Sequence, residues 1–295
     1  MKNLGFVILD VFAEKKLAGN QLAVFLGGAG LKRGEMQAIA KEMNYSETTF
    51  IMSARKTRGG YDVRIFTPET EVPFAGHPTL GTAFAIQQEI ERKPVDEVRL
   101  NLGVGQIPVS FTYSSGEPSV LWMTQKEPSF GPEIPAGEIC RAAGINAGDI
   151  DPRYPVMEVS TGLPFIIVPL SGLVALKAAS PESGLLKKTL GGSSTGGVLL
   201  FCPETRHPKN DLSARVFADY YGVTEDPATG SGNGCLAAYL SRTGYMGGPD
   251  INARVEQGYE IGRPSLLRLK TETSGGGIAV RVGGKVYLSA RGRLV

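Results

Sequence analysis

Two Gly-rich segments of this sequence carry polar side chains in a layout that suits catalysis. The first is Phe74–Pro78 and the second is Thr229–Gly234. A run of small and apolar residues follows each segment and predicts a buried helix. The start of a helix leaves about four N–H groups without intrahelical partners and carries partial positive charge, so it binds carboxylates well. The residues that we predict to bind an anionic substrate here are Gly76, Ser231, Gly232 and Asn233.

Three titratable side chains near these segments are candidates for proton transfer. Glu47 lies between a predicted helix and an apolar strand, where partial desolvation suits a carboxylate to general acid/base catalysis. His77 begins the first predicted helix, and Asp226 precedes the second Gly-rich segment. Each residue type also has a structural alternative: a solvated loop carboxylate, a histidine that only donates hydrogen bonds, or an aspartate that forms a turn or cap.

Other kinds of site fit the sequence less well. Residues 230–234 give a G-x-G-x-G pattern, but they lack the Lys-Ser/Thr of a phosphate loop and the later acidic residue of a dinucleotide site. The two histidines, His77 and His207, and the three cysteines show no metal-ligand spacing, so we expect no metal. Cys235 lies within the second apolar run and is expected to pack rather than to react.

Size and composition limit the class of protein. A chain of 295 residues is long for one core and favours two domains. The 31 basic and 29 acidic residues nearly balance, which gives no charge pattern for binding nucleic acid or an anionic membrane. No apolar stretch reaches the ~18 residues of a membrane helix, and the first ten residues are too short and too soon acidic for a signal peptide. With an odd number of distant cysteines, the sequence favours a cytoplasmic protein without disulfides.

Local patterns predict the elements that must position these residues. The spacing of Met36, Ile39, Ala40 and Met43 predicts a helix over Arg33–Met43. Residues 185–197 are rich in Gly and Ser and are predicted to form a surface loop. Runs rich in β-branched and aromatic residues predict strands at 6–12, 22–26, 48–53, 61–66, 156–159, 165–170, 198–202 and 212–217.

The two halves of the sequence show the same order of features. Gly19 matches Gly162, the run ending at Phe66 matches the run ending at Phe217, and the two Gly-rich segments match each other. Each repeat is too long for a solenoid unit, so the pattern predicts two pseudo-symmetric domains. We place them at residues 1–128 and 129–295, with the option that the last strand returns to the first domain.

Five segments, in this order and distributed over essentially the whole chain, resemble the PhzF-like phenazine-biosynthesis protein family. These segments are Gly19-Asn20, Asn44–Phe50, Phe66–Thr79, Asp226–Gly232 and Glu256–Ser265.

The resemblance implies an α+β fold like that of diaminopimelate epimerase, in which each domain wraps a mixed or antiparallel sheet around a central helix and the active site lies between the domains. It also implies a homodimer and a cofactor-free isomerase that moves a proton within a small unsaturated amino acid of the dihydro-hydroxyanthranilate type. Glu47 matches the glutamate that moves the proton. His77, Asp226 and Ser231 match substrate-contacting residues, and Asn20 and Gly76 match further site positions.

The same resemblance indicates a departure from the epimerases, which use two cysteines as paired bases. Ala75 and Ser231 occupy those two positions here, so a two-thiol mechanism is excluded if the alignment holds. Two alternatives to the isomerase stay open: an amino-acid epimerase or racemase with non-thiol bases, and a non-catalytic protein that binds small anions on the same fold.

Overall fold

The computed structural model describes residues 3–190, 195–218 and 223–295. The chain divides into two compact units. The first comprises Met1–Thr124 together with Gly283–Val295, and the second comprises Gln125–Val282. Every helix in the described residues falls short of the length and apolarity that a membrane crossing requires.

The first unit is a mixed sheet with one helix on its outer face and one helix inside it. Its strands pair mostly antiparallel, but β2 runs parallel to β3 and β4 runs parallel to β6. The final strand pairs with the first. Its elements are β1 (Leu4–Val11), β2 (Asn20–Leu26), α1 (Arg33–Met43), β3 (Glu47–Ile51), β4 (Tyr61–Phe66), β5 (Glu71–Val72), α2 (Gly76–Ile86), β6 (Glu97–Leu102), β7 (Gly105–Ser114), β8 (Glu117–Thr124) and β18 (Val286–Leu294).

The second unit follows the same plan with more helices on its outer face. The elements are β9 (Ser129–Glu133), α3 (Ala136–Ala143), β10 (Met157–Ser160), β11 (Pro164–Pro169), α4 (Leu173–Ala178), α5 (Ser183–Leu190), β12 (Val198–Cys202), β13 (Leu212–Ala218), β14 (Val223–Asp226), α6 (Gly230–Thr243), β15 (Asn252–Gln257), β16 (Ser265–Ser274) and β17 (Gly277–Gly284). The side chains of α3, α4 and α5 pack on one apolar cluster with β11 and β12.

The strand pairings repeat from one unit to the other and confirm the predicted duplication. In the first unit β2 and β3 are parallel, β3 and β4 antiparallel, and β4 and β6 parallel. The second unit repeats these relations with β11 and β12, β12 and β13, and β13 and β15. The α+β fold of two pseudo-symmetric domains, each with a central helix, is therefore confirmed.

Small residues let the central helix of the first unit fit within its sheet. All eleven residues of α2 are buried, and the helix contacts β1, β2, β3 and β6 to β8. A Cβ at Gly81 would lie 2.5 Å from Leu22 Cδ2 and 2.9 Å from Val11 Cγ2, so a larger residue here would have to displace the side chains of β1 and β2. The helix begins at Gly76, and Pro78 lies in its first turn, where its missing N–H leaves no bond unmade.

The opposite face of the same sheet is packed by aromatic rings. Phe25 and Phe50 stack with centroids 5.2 Å apart, and Phe66 meets Phe50 edge-on at 5.5 Å. Met36 and Ile39 of α1 cover these rings. The sheet that carries Glu47 is thus fixed from both faces, by α1 on one side and α2 on the other.

The prediction of a surface loop over residues 185–197 was wrong where the structure describes it. Leu185 to Leu190 belong to α5, and Leu186 is fully buried in the apolar cluster of the second unit. Thr195 is also buried, and the backbone oxygen of Gly197 accepts a hydrogen bond from Ile166. The central part of the predicted loop, 191–194, lies outside the described residues.

Candidate active site

Glu47 and His77, which are 30 residues apart in the sequence, come together in the first unit. Glu47 is the first residue of β3, and His77 is the second residue of α2. The Nδ1 atom of His77 lies 3.5 Å from Oε2 of Glu47. A hydrogen bond of 2.8 Å between the hydroxyls of Thr49 and Thr82 joins the same strand and helix further along. The two candidate residues are therefore held by packed elements rather than by loops.

The surroundings of His77 determine which of its nitrogens carries the proton. The ring is 4% exposed, and burial lowers the pKa of His77 to about 3, so it is neutral at physiological pH. Its Nε2 lies 3.2 Å from the backbone oxygen of Gln21, and because a carbonyl only accepts, we assign the proton to Nε2. The lone pair of Nδ1 then faces Glu47, so the close contact is not an ion pair. It becomes a favourable hydrogen bond when Glu47 carries a proton.

The other predicted residues of the first unit lie close by in the chain. Asn20 begins β2 and is 1% exposed. Gly19, just before it, has φ +71°, and a Cβ there would lie 2.4 Å from the backbone oxygen of Val11, so glycine is required for this turn. Gly76 is the first residue of α2, and Ala75 is its N-cap with an extended backbone.

In the second unit, Asp226 is part of a buried hydrogen-bond network. It is the last residue of β14 and is 9% exposed. The hydroxyl of Thr229, the N-cap of α6, lies 2.5 Å from Oδ2 of Asp226. Gln257, at the end of β15, bonds to both residues and to Asn233. Thr229 and Gln257 were not among the predicted site residues, although Thr229 begins the second Gly-rich segment and both residues lie in segments that carry the family resemblance.

The predicted substrate-binding residues of the second unit differ in accessibility. Ser231 is the second residue of α6 and is half-buried, while Gly232 beside it is buried. Asn233 is fully buried, and its side-chain nitrogen donates to the backbone oxygen of Thr229 at 3.1 Å and to Oε1 of Gln257 at 2.8 Å. The structure thus gives Asn233 a structural role in the turn, and its contact with substrate stays a prediction.

The strand registers show which residues take equivalent places in the two units. In the first unit Thr48 lies opposite Phe66, and in the second Val198 lies opposite Phe217. The residue before Val198 is a glycine, Gly197, so the second unit has no carboxylate where the first has its candidate proton carrier.

The reverse holds for the aspartate. Asp226 lies opposite Val216 of β13. In the first unit the residue opposite Ile65, the match of Val216, is Val72. Each unit therefore carries one candidate carboxylate, and the two carboxylates occupy non-equivalent positions in the repeated fold.

No thiol takes the place of a second base in the described residues. Cys235 is fully buried in α6, and burial raises its pKa to about 11. Its Sγ lies 3.4 Å from the backbone oxygen of Leu163, to which it donates. Across the described ranges, no three His, Cys, Asp or Glu side chains lie close enough together to hold a metal ion.

A family model described as phenazine biosynthesis-like protein, PhzC-PhzF, matches residues 9–292. A trans-2,3-dihydro-3-hydroxyanthranilate isomerase of Pseudomonas aeruginosa is 34% identical over 290 residues, which cover 98% of each chain.

Solved structures agree with this comparison. A PhzF-family phenazine biosynthesis protein of Bacillus anthracis matches with a TM-score of 0.90 and 25% identity over 100% of both chains. A hydroxyproline epimerase of Agrobacterium vitis matches with a TM-score of 0.65 over 100% of this chain and 91% of the other, at 11% identity, which shows a shared fold only.

Proposed function

The chain belongs to the PhzC-PhzF family and is an isomerase, and from that premise we propose that it moves a proton within a small unsaturated carboxylate without a cofactor. The proposed substrate class is that of trans-2,3-dihydro-3-hydroxyanthranilate, the compound in the name of the Pseudomonas aeruginosa relative. The observation that carries the proposal is the contact of 3.5 Å between Glu47 and a neutral His77.

Proton transfer needs a group that is basic in one step and acidic in the next. In the proposed reaction the Glu47 carboxylate removes a proton from a substrate carbon, and the electron pair of that C–H bond shifts the adjacent double bond. The resulting Glu47 carboxylic acid donates a hydrogen bond to Nδ1 of His77 while it holds the proton. It then returns the proton to a different carbon of the same conjugated system. No electrons are gained or lost, so this step needs no redox partner.

The N-termini of the two central helices, α2 and α6, are suited to bind a substrate carboxylate. Neither α2 nor α6 has an acidic residue in its first turn, so nothing there competes with an anion for the backbone N–H groups. Glycines at 76, 230 and 232 leave these groups without a Cβ beside them. In this proposal Gly76, Gly232 and the Ser231 hydroxyl bind the carboxylate, Asn20 contacts the substrate, and Asp226 exchanges a second proton with it.

The test is turnover of trans-2,3-dihydro-3-hydroxyanthranilate by the Glu47→Gln variant. General acid/base catalysis is typically worth ~10²–10⁴-fold, so we expect kcat to fall at least ~10²-fold while calorimetry detects unchanged ligand binding. Glu42→Gln serves as the matched control, because Glu42 is exposed on α1. Wild-type turnover in Glu47→Gln would refute the role of Glu47.

The same assay in D₂O separates the isomerase from an epimerase. The proposed reaction shifts a double bond and so changes the connectivity and the ultraviolet spectrum of the substrate, and deuterium enters the new C–H bond only to the extent that the proton on Glu47 exchanges with solvent. An epimerase places deuterium at one stereocentre and leaves the connectivity of its substrate unchanged. NMR of the product that shows only inversion would replace the isomerase proposal with the epimerase alternative.

A further inference from the structure

Two backbone groups determine how the side-chain amide of Gln257 is oriented. Its side-chain amide faces the backbone oxygen of Asp226 at 2.7 Å and the backbone N–H of Thr229 at 3.3 Å. Because the first group only accepts and the second only donates, Nε2 must face Asp226 and Oε1 must face Thr229. The usual ambiguity of a glutamine amide is therefore resolved here.

The orientation of Gln257 in turn determines the direction of the Thr229 hydroxyl bond. The second N–H of Gln257 Nε2 points to Thr229 Oγ1 at 3.1 Å, so that oxygen accepts. Its single proton needs an acceptor, and among the described residues the acceptor within hydrogen-bond distance is Oδ2 of Asp226, at 2.5 Å. Thr229 therefore donates to Asp226, and Oδ2 accepts.

We propose that Gln257 and Thr229 are positioning residues for Asp226. Gln257 directs the Thr229 hydroxyl to Oδ2 of Asp226, and this hydrogen bond holds the Asp226 carboxylate in the orientation in which it exchanges a proton with the substrate. This inference rests on the proposed role of Asp226. Proton transfer depends on the orientation of the acid or base, so a residue that orients Asp226 affects the rate without touching the substrate.

Close backbone packing and a further hydrogen bond hold Gln257 beside Asp226 and Thr229. Gly258 has φ +77°, and a Cβ at this position would lie 2.5 Å from the backbone oxygen of Pro227. Glycine therefore allows the strand end that carries Gln257 to lie directly against the residue that follows Asp226. Asn233 adds a hydrogen bond of 2.8 Å to Oε1 of Gln257, and Gln257 itself is 1% exposed.

The deciding variants change the hydroxyl at position 229. Thr229→Val keeps the branched shape but has no proton to donate, whereas Thr229→Ser keeps the hydroxyl. We expect Thr229→Val to lower kcat by ~10–10²-fold with KM changed less than ~3-fold, since misplacement of a reacting group by ~1 Å costs up to ~10²-fold. Thr229→Ser should stay within ~3-fold of the wild type on the same scale. Equal losses in the two variants, or no loss in Thr229→Val, would overturn the inference.

Gln257→Met provides an independent variant in case Thr229→Val does not fold. A methionine at position 257 has no N–H to donate to Thr229 Oγ1 or to the backbone oxygen of Asp226, so the Thr229 hydroxyl loses the donor that directs its proton to Asp226. We expect the same loss of kcat as in Thr229→Val. Wild-type kcat in Gln257→Met would count against the role of Gln257.

A crystal structure separates failure of this inference from failure of the proposed function. If the wild-type enzyme does not convert trans-2,3-dihydro-3-hydroxyanthranilate, the proposed function fails, and the kinetics of the variants no longer test the role of Thr229. A crystal structure of Thr229→Val still tests it, because we expect the Asp226 carboxylate to rotate away from its wild-type position. An unchanged Asp226 rotamer in that variant would show that Thr229 does not position it.

Discussion

Arg215 is buried in the second unit and makes more hydrogen bonds than an ordinary ion pair. Its Nε and Nη2 donate to the two oxygens of Glu225 at 2.9 and 2.8 Å. Its Nη1 donates to the backbone oxygens of Leu176 and Ala179 at 3.0 and 2.6 Å, which ties the end of α4 to β13. The two charged side chains are 8% and 9% exposed. Because Glu225 immediately precedes Asp226, this pair also supports the candidate site.

The duplication supplies a matched control in the first unit. Arg64 and Glu71 occupy the equivalent places, and Arg64 donates through Nε and Nη2 at 2.7 and 2.6 Å. This pair is 29% and 26% exposed, and Glu71 keeps a second partner, Arg33, at 2.9 Å. The pairs share their geometry and differ mainly in burial.

Burial sets the expected cost of removing each guanidinium. Breaking a buried pair leaves an uncompensated charge and costs about 3–5 kcal/mol, so Arg215→Met should lower the free energy of unfolding by that amount. Exposed pairs contribute about 0–1 kcal/mol, so Arg64→Met should cost about 1 kcal/mol or less. The double variant Arg215→Met/Glu225→Met should recover part of the loss, because no buried charge is then left unpaired.

Urea unfolding measures these differences. The single tryptophan, Trp122, lies in the first unit, so its fluorescence reports on that unit, while far-ultraviolet circular dichroism reports on both. Arg215→Met should shift the dichroism transition to lower urea. Losses for Arg215→Met and Arg64→Met that agree within about 0.5 kcal/mol would refute the argument from burial.

Two further predictions follow from buried titratable groups. The pKa of His77 is 6.5 in the unfolded chain and about 3 in the folded protein, so between these pH values only the unfolded chain is protonated at His77. The free energy of unfolding should therefore fall with falling pH across that window, by up to ~1.4 kcal/mol per pH unit. His77→Gln should flatten this dependence in urea titrations at several pH values, and an unchanged slope would contradict it. Burial also raises the pKa of Cys202 and of Cys235 to about 11, so Ellman's reagent at pH 8 should label neither thiol until urea unfolds the protein. Rapid labelling of the folded protein would contradict that expectation.

The elements that the sequence predicted best are those with a strong local signal. The helix Arg33–Met43 has its predicted bounds, because its apolar spacing and the turn at Asn44 are both local. The strands Tyr61–Phe66 and Val198–Cys202 also match their predicted bounds. By contrast, α5 was missed because its apolar stripe is short and lies beside a Gly/Ser-rich run, although Leu186 is fully buried.

The contacts of the candidate site depend on pairings that no local pattern reveals. Glu47 meets His77 only because β3 lies parallel to β2 and beside α2. Thr229 and Gln257 are 28 residues apart, and their bonds form because β15 runs parallel to β13. The sequence indicated residue types that suit proton chemistry, but the partners that orient them follow from tertiary packing.

The repeated fold keeps its symmetry in the backbone and loses it in the candidate site. Strand pairing depends on backbone N–H and C=O groups, so the side chains at equivalent positions of the two units can differ without loss of the pairing. The sheets accordingly match, while Gly197 takes the position in the second unit that is equivalent to Glu47, and Val72 takes the position in the first unit that is equivalent to Asp226. The repeat therefore does not supply, at these positions, the matched pair of carboxylates that symmetric bases would need to invert one stereocentre.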